Sequence, residues 1–345
     1  MKTTHLLKLA YPSLLLGLAT ACGPSKPAEA PKQLPPINAK KQSADDDVPP
    51  AKRVETAIKL IQAKSYSEAK KLLERAVADD STNSKAYFYL GLAEDLLGEK
   101  DLASTNYGKA LELDPKLTEA AENLSGLLLE REDYERAAMV ADVGLKSDPK
   151  SLTLLTNLPV AQKGMGKLDE AVKSFEALFK VKDDDERLRF QYAEALTLLD
   201  QKDKALGEWG KLLNSKDADI LAAMSKPLAK LDAYDKCVGA LDKAIDIRKE
   251  PEFFVRRGLC RQKVVPANVK AEFADYEGAI ALKADYTPAH YYLGMAHFKN
   301  KDLDQAKSEL EKVVASGDEK FLERAKKTLE VIAATPASKK GAKKK

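Results

Sequence analysis

Ser84 to Leu117 reads SKAYFYLGLAEDLLGEKDLASTNYGKALELDPKL, and its spacing decides the fold. Apolar and small residues recur at three- and four-residue intervals on both sides of Gly98, the period of helices that bury one face. Gly98 suits the turn between two such helices. Pro115 stops the second, because proline has no N–H and clashes with the preceding turn. Within this 34-residue unit Tyr87, Leu90, Gly91, Ala103, Tyr107, Ala110 and Pro115 hold offsets 4, 7, 8, 20, 24, 27 and 32. Gly91, Ala103 and Ala110 are expected where the two helices nearly touch, since larger side chains would splay them. Tyr87, Leu90 and Tyr107 are expected to fill the space around those contacts.

The same frame recurs on either side. Upstream, Tyr66, Ala69, Leu73 and Ala76 fit the second helix of a first unit whose first helix is weakly marked. Downstream, Ala121, Leu124, Tyr134, Ala137, Gly144 and Pro149 mark a third unit, and Leu155, Leu158, Gly166, Ala171 and Phe175 a fourth. In the fourth, Pro159 replaces the glycine at offset 8, which predicts a first helix kinked or shortened there. The fifth carries Tyr192, Ala193, Ala205 and the only tryptophan, Trp209, at offset 24. The sixth has Leu221, Tyr234, Leu241 and Ala244, with Cys237 in a small-residue position. The seventh begins FFVRRGLC with Gly258 in frame and has a longer turn, VVPANVK, before Tyr276 and Ala279. The eighth shows Leu293, Gly294, Ala306 and Leu310.

This pattern resembles the tetratricopeptide repeat, W-x2-L-G-x2-Y…A-x3-F…P, over most of the chain; in the second unit only Glu94 departs, standing where an aromatic is expected. The resemblance implies an all-α protein: a right-handed α-solenoid of about eight helix hairpins over 51–320, closed by a capping helix at 321–334 that hides the last apolar face. In such proteins the inner wall comes from the first helices at offsets 2, 5, 6, 9, 12 and 13, and partners bind there. Those offsets hold Phe88, Leu92 and Leu96 in repeat two, Asn123 in repeat three and Asn157 in repeat four. They hold Arg187, Phe190 and Gln191 in repeat five, Val255, Arg256 and Lys263 in repeat seven, and Tyr291, Tyr292, Met295 and Phe298 in repeat eight. The last strip suits an extended peptide or partner helix, or else packs on the capping helix. Asn157, Arg187 and Gln191 imitate part of the family's two-carboxylate clamp. Glu122 and Gly126 stand where that clamp needs Lys and Asn, so a receptor for C-terminal carboxylates is not expected.

The N-terminus reads as an export signal over 1–21. Lys2 and Lys8 precede an apolar run from Leu14, and Ala19-Thr20-Ala21 forms a small-residue cleavage site before Cys22. The run is too short to span a bilayer. A cysteine directly after the site resembles the lipobox of bacterial lipoproteins, which implies acylation of Cys22; plain secretion with a chance cysteine is the alternative. Gly23 after the cysteine implies, by resemblance to enterobacterial sorting, the outer membrane. Residues 22–50 are rich in Pro, Ala and Lys and read as an extended tether, with Asp45-Asp46-Asp47 a solvated part of it. Residues 335–345 form a basic tail, a solubilising end or one that touches acidic head groups.

With 44% hydrophobic and 32% charged residues, the chain is too polar for a multi-span membrane protein, and a net charge of +3 with interspersed signs argues against nucleic acid. No catalytic motif is present, no cofactor is implied, and no small-molecule substrate is expected. His290 and His297 are seven apart, not at the helical spacing of zinc ligands, and read as wall or packing residues. Cys237 and Cys260 fall at packing positions; buried free thiols are the first expectation, and oxidation to a disulfide in the periplasm, which needs Cα atoms about 4.4–6.8 Å apart, is the alternative. The reading is a lipid-anchored envelope adaptor facing the periplasm, with the cell surface as the alternative location. It binds protein partners in assembly of a pilus, secretion or motility machine, or in recruitment of cell-wall enzymes. A cell-wall-acting enzyme subunit and a periplasmic chaperone are the alternatives.

Overall fold

The computed structural model describes residues 48–266 and 268–335. The signal, Cys22, nearly all of the tether and the tail after Thr335 lie outside the described residues. Among the described residues eighteen α-helices follow one another. Repeats one to three pair α1 (Pro50–Gln62) with α2 (Tyr66–Asp79), α3 (Ser84–Leu96) with α4 (Lys100–Leu113), and α5 (Thr118–Glu130) with α6 (Tyr134–Ser147). Repeat four supplies α7 (Leu152–Gly164) and α8 (Leu168–Phe179), and repeat five pairs α9 (Glu186–Leu198) with α10 (Lys202–Leu212). Repeat six has a divided first helix, α11 (Ala218–Ala223) and α12 (Ser225–Lys230), followed by α13 (Tyr234–Ile247). Repeats seven and eight pair α14 (Pro251–Arg261) with α15 (Val269–Leu282) and α16 (Thr287–Lys299) with α17 (Leu303–Ser316), and α18 (Glu319–Ala334) ends the array. The chain divides into two compact units at Gly166, so that α7 closes the first and α8 opens the second.

One backbone feature makes the repeat visible without reference to side chains. Lys64, Gly98, Glu132, Gly166, Asp200, Asp232 and Lys301 all adopt the left-handed conformation, with φ between 56° and 81°. Each sits at offset 15 of its repeat, in the turn between the two helices. The following residue then reaches back to the first helix: Glu99 N donates to Glu94 O at 2.8 Å and Asp302 N to His297 O at 3.0 Å, the six-to-one bond of a helix C-cap. Among the described residues of repeat seven, which has the longer turn, none adopts the left-handed conformation.

Within each unit the small positions do the steric work expected of them. A Cβ on Gly91 would come within 2.9 Å of the Tyr107 ring, so α3 and α4 approach as closely as glycine allows. A Cβ on Gly144 would meet Leu154 at 2.4 Å and Ala121 at 2.8 Å, which is the contact between repeats three and four inside the first unit. Tyr107, Phe175, Trp209 and Tyr276 are fully buried. The indole N–H of Trp209 donates to Thr197 Oγ1 at 3.0 Å, so its burial leaves no donor unpaired.

Two expectations are corrected. Pro159 does not shorten its helix: α7 runs from Leu152 to Gly164 with the proline buried inside it. The division falls in repeat six, where Pro227 occupies the third position of α12. A proline is tolerated in a first turn, whose N–H groups lack helical acceptors, so the helix stops at Ala223 and restarts at Ser225. The second correction concerns the cysteines. Cys237 of α13 and Cys260 of α14 are joined in a disulfide, Cα–Cα 6.2 Å, within the range a bridge requires; both are buried, but neither is a free thiol.

Candidate protein-binding face

In the first unit the candidate residues lie on α3, α5 and α7. Phe88 is only 3% exposed. Its ring packs edge-on against Tyr89 at 4.9 Å and tilted against Tyr107 at 5.9 Å, so it belongs to the core and not to an open wall. Leu92 is half-buried, and Leu96 is 38% exposed at the end of α3. Asn123 Nδ2 donates to the Tyr107 hydroxyl at 3.1 Å, and Asn157 Nδ2 to Ser125 Oγ at 2.9 Å. Each amide is therefore tied back to the preceding repeat through one N–H. Each remains half-buried, with a second N–H and a carbonyl oxygen in its inventory.

In the second unit Arg187 is exposed, Gln191 is half-buried, and Phe190 stands edge-on to Trp209 at 4.9 Å. Arg256 is held on both sides: its Nη1 donates to Ala222 O at 3.1 Å and its Nη2 to Glu252 at 2.5 Å. The Ala222 carbonyl is one that the division of the helix releases, and the Ser225 hydroxyl reaches it too, at 2.7 Å. Val255 is buried. Asn157 and Arg187 belong to different units, so the partial clamp has no common geometry to describe.

The aromatic and methionine strip of α16 packs against the chain itself. Tyr291 is 7% exposed, and its ring lies 4.8 Å from Phe321 of α18. Tyr292 approaches the same ring at 6.0 Å, and Met295 Sδ faces the Thr328 hydroxyl at 3.7 Å. Met295 and Phe298 are half-buried around this cluster, which Ala325 and Ile332 complete. The strip is the seat of the last helix.

Several polar groups are buried, Glu94 among them where the repeat pattern expects an aromatic. Glu94 accepts from Asn106 Nδ2 at 2.7 Å and lies 3.9 Å from Lys70 Nζ. Burial pushes its carboxyl up, against the pull of Asn106 and Lys70. Asp275, 1% exposed, accepts from Arg257 at 2.6 Å and from Arg261 at 2.9 Å, while Arg257 also reaches Asp242 at 2.7 Å. Burial pushes the Asp275 carboxyl up despite these guanidiniums. Such networks contribute little net stability but are costly to break, so they fix which faces meet. His290 has one ring nitrogen 2.5 Å from Glu309 Oε2 and the other 2.8 Å from Ala284 O, and the His297 ring stands edge-on to Phe273 at 4.6 Å. Among the described residues no group of three or more His, Cys, Asp or Glu is arranged to hold a metal.

A cleft of roughly 750 Å³ in the second unit is lined by Glu186, Asn214, Lys216, Asp217, Ile247 and Arg248. Its acidic groups are already engaged. Glu186 accepts from Ser215 Oγ at 2.6 Å, and the Asp217 carboxylate caps α11.

Comparison with known proteins follows the same lines. A family model described as tetratricopeptide repeat matches residues 52–225, and a second with the same description matches 288–316. Tetratricopeptide repeat protein 21A of Mus musculus is 32% identical over 118 residues, 34% of this chain and 9% of the mouse protein. A probable biofilm formation methyltransferase, WspC of Pseudomonas aeruginosa, is 34% identical over 79 residues, 23% of this chain and 19% of that protein. The chain thus spans less than a fifth of the length of either relative. The solved structure of YrrB, described as a TPR protein with an unusual peptide-binding site, has a TM-score of 0.45 at 21% identity and covers 51% of this chain and 92% of that one. Arrays of this kind serve as scaffolds for protein–protein interaction. With a family model matched over more than half of its length, the chain belongs to the tetratricopeptide repeat family.

Proposed function

We propose that this chain is a lipid-anchored scaffold of the bacterial cell envelope. In this reading Cys22 carries the lipid, the repeats face the periplasm from the outer membrane, and the first-helix faces hold protein partners while an envelope machine is assembled or a cell-wall enzyme is recruited. The observation that carries the reading is the Cys237–Cys260 disulfide. Disulfides persist in oxidising compartments and are rare in the reducing cytosol, so the pair supports export. It also accounts for two of the three cysteines. The third is Cys22, directly behind a small-residue cleavage site. Among the described residues no helix is long and apolar enough to cross a membrane; attachment in this reading is the work of the acyl chains, each buried CH2 adding about 0.8 kcal/mol.

The test is metabolic labelling with an alkyne analogue of palmitate, followed by membrane fractionation, for the natural chain and a Cys22→Ser variant. The expected result is a labelled, membrane-associated protein that loses label and shifts to the soluble fraction on substitution. A Cys22→Ser protein that keeps both its label and its membrane association overturns the anchor.

A further inference from the structure

Repeats six to eight carry one feature that the family pattern does not require. Lys230, Lys263 and Lys299 occupy offset 13 in three successive repeats, and Lys226 stands one turn before Lys230 on α12. All four are exposed. Other lysines of this unit do pair with carboxylates: Lys211 meets Glu208 at 2.9 Å, Lys312 meets Glu309 at 2.8 Å and Lys326 meets Glu323 at 3.2 Å. Among the described residues these four have no hydrogen bond or ion pair. The carboxylates on the same face are spent, because Asp219 is bound by Arg248 at 2.5 Å and Glu252 by Arg256 at 2.5 Å. The face therefore holds a row of uncompensated positive charge.

We propose that this row docks an acidic polypeptide segment, with Lys226, Lys230, Lys263 and Lys299 as its contacts. The inference rests on the scaffold reading above and names the chemistry of one partner. α12 lies against α14, and α14 against α16. Packed helices stand about 8–10 Å apart, and an extended chain advances about 3.3 Å per residue. One lysine per repeat thus matches a carboxylate at about every third residue of a strand laid across the first helices. The half-buried Leu259 of α14 gives the residues between carboxylates apolar surface to rest on. Exposed ion pairs are individually weak and screened by salt, so binding is cooperative along the row and falls steeply with ionic strength.

The test uses the full-length chain in detergent and a fluorescein-labelled peptide with glutamate at every third position, with a lysine-substituted peptide as control. Fluorescence anisotropy is read at low and at high salt. The expected result is saturable binding of the acidic peptide only, weakened tenfold or more by salt. A Lys226→Glu/Lys230→Glu/Lys263→Glu/Lys299→Glu variant with an unchanged circular dichroism spectrum and melting temperature loses a further tenfold or more; the corresponding alanine variant loses less. Charge reversal at Glu119 and Glu130 in the other unit leaves binding unchanged. An acidic peptide that fails to bind, or binds the lysine variant as well as the natural chain, overturns the proposal. So does a row that binds vesicles of anionic phospholipid but not the peptide. Photocrosslinking from the first-helix faces in cells separates this proposal from the broader reading. A partner captured equally by the natural chain and the lysine variant removes the acidic docking row and leaves the scaffold. A partner captured from no first-helix position removes the scaffold and the row with it.

Discussion

Cys237 and Cys260, 23 positions apart in sequence, join the second helix of repeat six to the first helix of repeat seven. The bridge stands beside the divided helix: Cys237 Sγ lies 3.6 Å from Ser225 O, at the start of α12. Closing a loop of this length restricts the unfolded chain, an effect of about 2–4 kcal/mol. Reduction, or a Cys237→Ala/Cys260→Ala variant, is expected to lower stability by that amount. Urea denaturation with and without dithiothreitol measures the loss, and amide exchange is expected to accelerate first between residues 218 and 262. A variant unaffected by reductant and as stable as the oxidised chain contradicts the assignment.

The left-handed turns predict opposite effects for two substitutions. Gly98 has φ 81° and open space around it, so Gly98→Ala meets only a backbone cost, about 1 kcal/mol. Lys301 bears that cost already at φ 63°. Lys301→Gly is expected to raise stability by up to about 1 kcal/mol, less the entropy that glycine adds to the unfolded chain. Paired thermal melts decide the matter.

The seat of α18 predicts strong coupling between the cap and repeat eight. Phe321 is 2% exposed and meets both Tyr291 and Tyr292. Phe321→Ala is expected to cost about 3–5 kcal/mol, the usual range for a large buried ring. Tyr291 then becomes accessible to iodination or quenching. A variant that keeps natural stability and a protected Tyr291 shows that the helix does not cover the strip.

Acid should loosen the same end. Burial acts to raise the Glu309 carboxyl, but hydrogen bonds from Lys312 and His290 outweigh it and hold the group below the usual carboxylate range. A folded value lower than the unfolded one gives stability that is present above the ordinary carboxylate pKa and lost as pH falls through the folded value. Denaturation midpoints of the natural chain are expected to fall across that window, and a Glu309→Gln variant to show a shallower fall. Identical pH profiles contradict the role given to Glu309.

The repeat was legible because its signal is steric and recurs: Ala69, Ala103, Ala137, Ala171, Ala205 and Ala306 share one offset, and all are fully buried. What could not be read depends on facts that spacing does not carry. Pro159 and Pro227 look alike in sequence. Only the second lies where restarting the helix puts a proline in a first turn. The cysteines stood at packing positions, but their pairing depends on a Cα separation set by how two repeats stack. Phe88 and Tyr291 hold offsets assigned to the wall, yet aromatic neighbours enclose them: Tyr89 and Tyr107 around one, Phe321 over the other. The row of Lys230, Lys263 and Lys299 was visible as an offset, but its lack of carboxylate partners was not.

The central claim is that the first-helix faces hold a protein partner. It is tested most directly by placing a photoactivatable amino acid at Gln191, at Lys263 and, as a control, at the exposed Met139 of the second helix α6, and irradiating cells that produce the full chain. The account predicts one recurrent protein crosslinked from Gln191 and Lys263 and absent from Met139. Crosslinks from Met139 alone, or from none of the three, contradict it.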